Sequence, residues 1–304
     1  MAVARHRRPR REYSGFYLNH YPIYLYYFGQ VYERPFAPWH APFVMAAFTT
    51  PVPTLALAGV GAVAASSVGL RRIRRRALAS DPLRTEGSLG LFVLLHAAFT
   101  IGIVAFSGAP KYGGVKLFLP FFPFLCWLAG YGVEELWRRA ALETSRWAKV
   151  GLRVAGPGAV LAAFLVLLRY GEHGLSAYGG VAGGLRGATA AGMERQYYDV
   201  PFLSMIEWLN THAPANARVH FEPNHWEYER TFRWYHRAGD LRRDIVAETR
   251  QDRAHVVILT HEQRFRGYGS LLKARRDDEV LFTKRIDGVP LWTAFRGPVS
   301  WPRE

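Results

Sequence analysis

Residues Lys111 to Trp137 read KYGGVKLFLPFFPFLCWLAGYGVEELW, and this stretch decides the architecture. Two lysines and a Gly-Gly pair open it, no charge occurs from Leu117 to Val133, and Glu134 and Glu135 close it ahead of Arg138 and Arg139. A charge-free apolar run approaching ~20 residues, rising ~1.5 Å per residue, can cross the ~30 Å hydrocarbon core of a bilayer as a helix. The stretch therefore predicts a membrane protein. Pro120 and Pro123 predict a kinked helix, because spanning helices tolerate proline where neighbours satisfy the freed carbonyls.

Similar runs lie on either side. Ala41 to Leu70 carries no charge, contains the break Thr50-Pro51-Val52-Pro53 and ends at Arg71, Arg72, Arg74, Arg75 and Arg76. Further apolar runs occupy 87–110 and 150–169. The expectation is a membrane α-helical bundle of about four transmembrane helices, near 41–70, 87–110, 115–135 and 150–169. Arginine is concentrated in Arg71 to Arg84 and Arg138 to Arg153, which the positive-inside rule assigns to the cytoplasm. That predicts a multi-pass protein of the cytoplasmic (inner) membrane, with residues 1–40, the Lys111 loop and everything after Arg169 outside. The basic segment Met1 to Arg11 resists that orientation, and a chain that is the downstream part of a longer polypeptide would resolve the conflict. Tyr13 to Glu33 is dense in tyrosine and phenylalanine, which suits a membrane interface where a ring is buried and its hydroxyl stays wet.

Composition divides the chain in two. Its 304 residues are 50% hydrophobic with a net charge of +15, and a mean hydropathy near zero averages an apolar first half with a polar second half. Such a charge can signal nucleic acid, but here the arginines flank apolar runs and no recognition motif accompanies them, so nucleic acid is excluded as a partner. The single cysteine, Cys126, rules out an internal disulfide and a cysteine zinc site. No nucleophile elbow, paired Cys-x-x-Cys or dinucleotide glycine motif occurs, so hydrolase and redox readings drop out and no cofactor is expected. Gly59-Val60-Gly61 falls inside a span and reads as packing.

Residues 171–199 read as a glycine-rich linker, with glycines at 179, 183 and 187, and 200–304 as a small soluble α/β domain on the outer face. There Pro201 to His212 has helical apolar spacing, Arg218 to Phe221 and His255 to Thr260 are strand-like, and Gln263 to Arg275 reads as helix. Val280 to Ile286 and Leu291 to Phe295 flank Asp287-Gly288, a hairpin signal. His220, Glu222, His225 and Glu229 invite a metal, but their spacing fits no zinc helix motif and no metal is assigned.

Three stretches resemble the C-terminal half of GT-C-fold glycosyltransferases, the family 39 and protein mannosyltransferase-like group that uses polyprenyl-phosphate sugars. They are YYFGQVYERPFAPWHAPFVMAAFTTPVPTL (Tyr26 to Leu55), KYGGVKLFLPFFPFLCWLAGYG (Lys111 to Gly132), and Gly174 to Glu194 with the α/β tail behind it. The resemblance implies sugar transfer at the outer face from a lipid-linked phosphate donor, with an aspartate of an early outer loop as base. No residue of this chain matches that aspartate, so the catalytic residue is unknown and an N-terminal half-protein is implied as a partner. Relatives often carry an acidic residue where this chain has Gly113, and polar residues near Gly179 to Ala182. The residues themselves can bind an anion: Lys111 and Lys116, beside flexible Gly113 and Gly114, would either meet a lipid phosphate at the membrane edge or simply anchor the chain there. Trp39, His40 and Tyr112 could line the same cleft against sugar or isoprenoid. The competing class is a non-catalytic membrane protein whose outer domain binds a partner or an envelope glycan.

Overall fold

In the computed structural model, residues 24–33, 37–76, 86–106, 109, 111–198, 201–265, 267–299 and 301 are described. The basic N-terminus, most of the aromatic segment and much of the Arg71–Arg84 loop lie outside these residues. The chain forms two units: one spans Tyr32–Ala163 and takes in Leu25, the other comprises Tyr26–Val31 and Phe164–Glu304.

The first unit is helical. The apolar run from Ala41 is two helices, α1 (Ala41–Thr49) and α2 (Val52–Arg76), bent by 119° instead of one span. Pro51 disfavours helical geometry at Thr50, which is extended, and the Thr50 hydroxyl donates to Ala46 O at 2.6 Å. Helix α3 is Glu86–Ala105. Helix α4, Phe121–Leu142, starts directly after Pro120, so Pro120 and Pro123 sit where the first helical turn needs no N–H donors. The expected kink is therefore not there, and only Phe121 to Val133 of α4 is charge-free. Helix α5, Arg146–Tyr170, carries Pro157 in its interior. Leu57, Ala58, Ala65, Val93, Ala97, Leu125, Leu128 and Ala129 form the core between α2, α3 and α4.

Among the described residues, one helix is long and apolar enough to cross a membrane, α5 with the 3-10 turn that extends it to Ser176. The bent α1–α2 pair passes only when counted together, and the apolar part of α3, Leu89–Ala105, is shorter. Four separate spans are thus not what the helices define. Helix α5 turns its apolar side chains outward, with Val160 72%, Leu161 56% and Leu167 64% exposed. A core helix of a water-soluble protein would bury them.

The second unit begins near Phe164, not at residue 200. Between Gly171 and Glu194 the chain runs through short 3-10 turns into helix α6 (Gly184–Ala190), and Tyr178, Leu185, Ala188 and Met193 are buried. This segment is part of a core, not a surface linker. Strands β1 (Leu25–Tyr27) and β2 (Gln30–Tyr32) form a tight ribbon, whose Gly29 N–H donates to Gly192 O at 2.9 Å.

Beyond it stand helix α7 (Leu203–His212), strand β3 (Arg218–Glu222), helix α8 (His225–Ala238), strands β4 (Val246–Ala247) and β5 (Val256–Thr260), helix α9 (Tyr268–Ala274), and strands β6 (Val280–Ile286) and β7 (Val289–Arg296). The sheet order is β4-β3-β5-β7-β6. Strand β3 lies parallel to β4 and β5, and β7 runs antiparallel to β5 and β6. Every residue of β5 is buried, as expected of a central strand covered on both faces. The β6–β7 turn is Asp287-Gly288 with φ of 52° and 79°, the geometry an Asp-Gly hairpin loop supplies.

Helix α9 is shorter than the predicted Gln263 to Arg275. The amides of Gln263 and Arg264 donate to the Glu194 carboxylate at 3.0 and 2.9 Å, and Glu262 N–H donates to Thr260 O at 2.8 Å, so these residues are held as a loop.

The same loop holds His261, 2% exposed, with Nδ1 2.8 Å from the Tyr268 hydroxyl and Nε2 2.9 Å from the Thr293 hydroxyl. Burial, aided by Arg195, Arg275 and Arg285, pulls its pKa down to about 3. The folded unit therefore excludes a proton that the unfolded chain accepts below about pH 6.5. Stability is complete above that value and is lost as pH falls toward 3, at up to about 1.4 kcal/mol per pH unit. Thermal unfolding at pH 7.5 and pH 5 checks this, with a loss on the order of 2 kcal/mol expected at the lower pH. His261→Gln should flatten the dependence. Equal pH slopes for the two proteins would refute the assignment.

Candidate functional site

Helix α1 starts from Pro38-Trp39-His40-Ala41-Pro42, where Pro42 occupies the first turn and loses no intrahelical bond. Ala41, Pro42, Met45 and Ala46 form its buried face. Past the end of α3 the chain doubles back so that Lys111, 7% exposed, donates from Nζ to Phe106 O at 2.9 Å and to Ala109 O at 3.2 Å. Phe106 O also accepts the Ala109 amide at 3.0 Å, and an ammonium just past a helix C-terminus complements the helix dipole. Burial pulls the Lys111 pKa below the ordinary lysine value.

Gly113 and Gly114, with φ of 63° and 61°, then reverse the chain into a 3-10 turn, Lys116–Phe118, that leads to α4. Lys116 is exposed, and its Nζ lies 5.9 Å from the centre of the Tyr112 ring. Phe118 is buried.

These pieces border a shallow, open depression lined by Leu25, Ala41, Pro42, Met45, Val104, Lys111, Tyr112, Gly114, Leu117 and Phe118. Its walls are almost wholly apolar. Of the expected residues, Lys111 and Tyr112 line it, and Lys116 stands beside Tyr112. Trp39 is 66% exposed and makes edge contacts with His40 and Phe43 at 5.8 and 6.0 Å; neither Trp39 nor His40 is in the lining. Met45, Val104, Leu117 and Phe118 were not foreseen, because nothing separates a cleft wall from core in an apolar run.

The two lysines thus divide the expected anion-binding work unequally. Two of the three Lys111 N–H bonds go to backbone carbonyls, so Lys111 shapes the loop, whereas Lys116 is exposed with its ammonium near the Tyr112 ring.

In the second unit, polar groups collect where β3 and β5 end. His220 joins Glu222 Oε1 at 2.9 Å and Glu248 O at 2.7 Å, and His225 stacks on it with ring centres 5.7 Å apart. Glu262, fully buried, accepts from the Tyr228 hydroxyl at 2.9 Å and lies 3.5 Å from Arg264. Among the described residues, no three histidine, cysteine or acidic side chains are grouped as metal ligands.

Comparison with protein-family models, with curated proteins and with solved structures returns no match.

Proposed function

We propose that this chain is an integral membrane protein that holds a polyprenyl-phosphate-linked sugar, acting as the lipid-binding part of a GT-C-type glycosyltransferase at the outer membrane face. Helix α5 and the bent α1–α2 pair anchor it, and α3 and α4 complete a bundle of about four membrane-embedded helices. The base of the transfer is not assigned to any residue here. The reading is carried by one observation, an open apolar depression with Tyr112 in its wall and the Lys116 ammonium 5.9 Å from the centre of that ring. An isoprenoid chain needs apolar walls, and its phosphate needs a cation where those walls meet water.

The lysines separate this function from simple anchoring. Lys116→Ala removes a charge-assisted phosphate contact at the water-exposed rim of the site, and polyprenyl-phosphate binding should weaken ~5-fold. Lys149→Ala, on α5 away from the cleft lining, is the control and should leave binding unchanged. Titration of purified protein in detergent with a short-chain polyprenyl phosphate reads the difference. Equal affinity for the two variants would remove the phosphate role and favour a non-catalytic membrane protein. Lys111→Ala is expected to act through the loop, lowering stability together with binding.

A further inference from the structure

Helix α8 buries one side and presents a chemically distinctive other side. Tyr228, Thr231 and Phe232 are buried. At about 100° per residue, Arg233, Trp226, Arg237, Arg230 and Trp234 follow one another around the opposite side, within a sector of about 100°. All five are exposed, Trp226 and Trp234 at 70% and 58%. Glu227 stands at the border of this face and pairs with Arg230 at 3.7 Å. Three guanidinium groups therefore share one exposed helix face with two large indoles, Arg237 and Arg230 lying between the indoles and Arg233 just beyond Trp226.

Each residue type belongs at a bilayer surface. Indole rings favour the headgroup level, where the ring is buried and its N–H stays wet, and arginine adds attraction to anionic headgroups of roughly 1 kcal/mol each. The unit that carries α8 also contains the end of the apolar helix α5, where Phe164, Leu165, Leu167 and Leu168 are 52 to 64% exposed. Its covalent connection keeps this unit within reach of whatever bilayer α5 crosses, so even weak contacts act at high effective concentration. We infer that the Trp226–Arg230–Arg233–Trp234–Arg237 face of α8 docks on the anionic lipid surface of that bilayer. This inference rests on the membrane reading above and is independent of sugar transfer.

The full chain, reconstituted in vesicles whose phosphatidylglycerol carries brominated acyl chains, tests it. Tryptophan emission in contact with lipid is quenched, and the share due to Trp226 and Trp234 is the difference between the parent and a Trp226→Phe, Trp234→Phe double variant. That share should be quenched. Reversing Arg230, Arg233 and Arg237 to Glu, or using brominated phosphatidylcholine alone, should lower the docked-to-undocked ratio ~100-fold or more and restore its emission. Alkaline carbonate extraction reports separately on the span. A chain that resists extraction while Trp226 and Trp234 remain unquenched would overturn docking and leave a protein or glycan as the partner of this face. A chain released by carbonate yet quenched at both tryptophans would sink the span and keep the docking. Undiminished quenching in phosphatidylcholine alone would overturn the anionic-lipid assignment.

Discussion

Gly132→Val should separate α2 from α4 and cost about 3 kcal/mol or more, as should Gly61→Val. The two glycines face each other where the helices cross. A Cβ on Gly61 would lie 1.9 Å from Leu128 O and 2.9 Å from Gly132 N, and one on Gly132 would lie 2.1 Å from Leu57 O. The obstructing atoms are backbone, so no rotamer change relieves the contact and the helices must move apart. Moving apart strips contacts from Leu57, Ala58, Leu128 and Ala129, which form the centre of the first unit. The absence of a side chain at both positions is what lets the two backbones approach this closely. Gly59 and Gly130 lie on the same two helices, and a Cβ on either would meet no atom within 4 Å. Gly59→Ala and Gly130→Ala should therefore gain up to about 1 kcal/mol from helix propensity. The measurement is the fraction remaining monodisperse in detergent after heating. If Gly132→Val survives as well as Gly130→Ala, the close crossing is refuted.

This crossing also marks how far the sequence could be read. Gly59-Val60-Gly61 reads as a packing motif, but only Gly61 serves one, because which glycine faces a neighbour depends on a helix rotation that the partner helix sets. Signals that act locally were legible. Asp287-Gly288 demands positive φ whatever surrounds it, and apolar spacing marks α7, β3 and β5. Helix α8 escaped because HWEYERTFRWYHRA hides its buried face among charges; Tyr228 and Phe232 become apolar anchors only against Phe221 of the sheet. The site was half legible for a similar reason. Cationic and aromatic residues around a Gly-Gly turn drew attention to Lys111, Tyr112 and Lys116, but the backbone carbonyls that take up Lys111 leave no mark in the sequence.

Glu194 is the other residue whose importance depends on distant partners, and its loss should be as damaging as the glycine substitutions. Its side chain is buried; Oε1 accepts the amides of Arg195 and Gln263, each at 3.0 Å, and Oε2 accepts the amide of Arg264 at 2.9 Å. Burial raises its pKa, with Arg264 and the three amides opposing the rise. Glu194→Ala leaves three N–H groups without this acceptor, at roughly 1 to 3 kcal/mol each, so the second unit should lose about 3 kcal/mol or more. Glu194→Gln keeps one oxygen for Arg195 and Gln263 but turns an amide N–H₂ toward the Arg264 N–H, so it should cost about 1 to 2 kcal/mol. Hydrogen exchange on the full chain resolves the effect by residue. Protection at Gln263 and Arg264 should collapse in Glu194→Ala, and at Arg264 alone in Glu194→Gln. Because this loop also positions Glu262 against Tyr228 and His261 against Thr293, exchange should rise at the ends of β5 and β7 in the alanine variant. Unchanged protection there would mean that the sheet, and not the Glu194 carboxylate, fixes the loop.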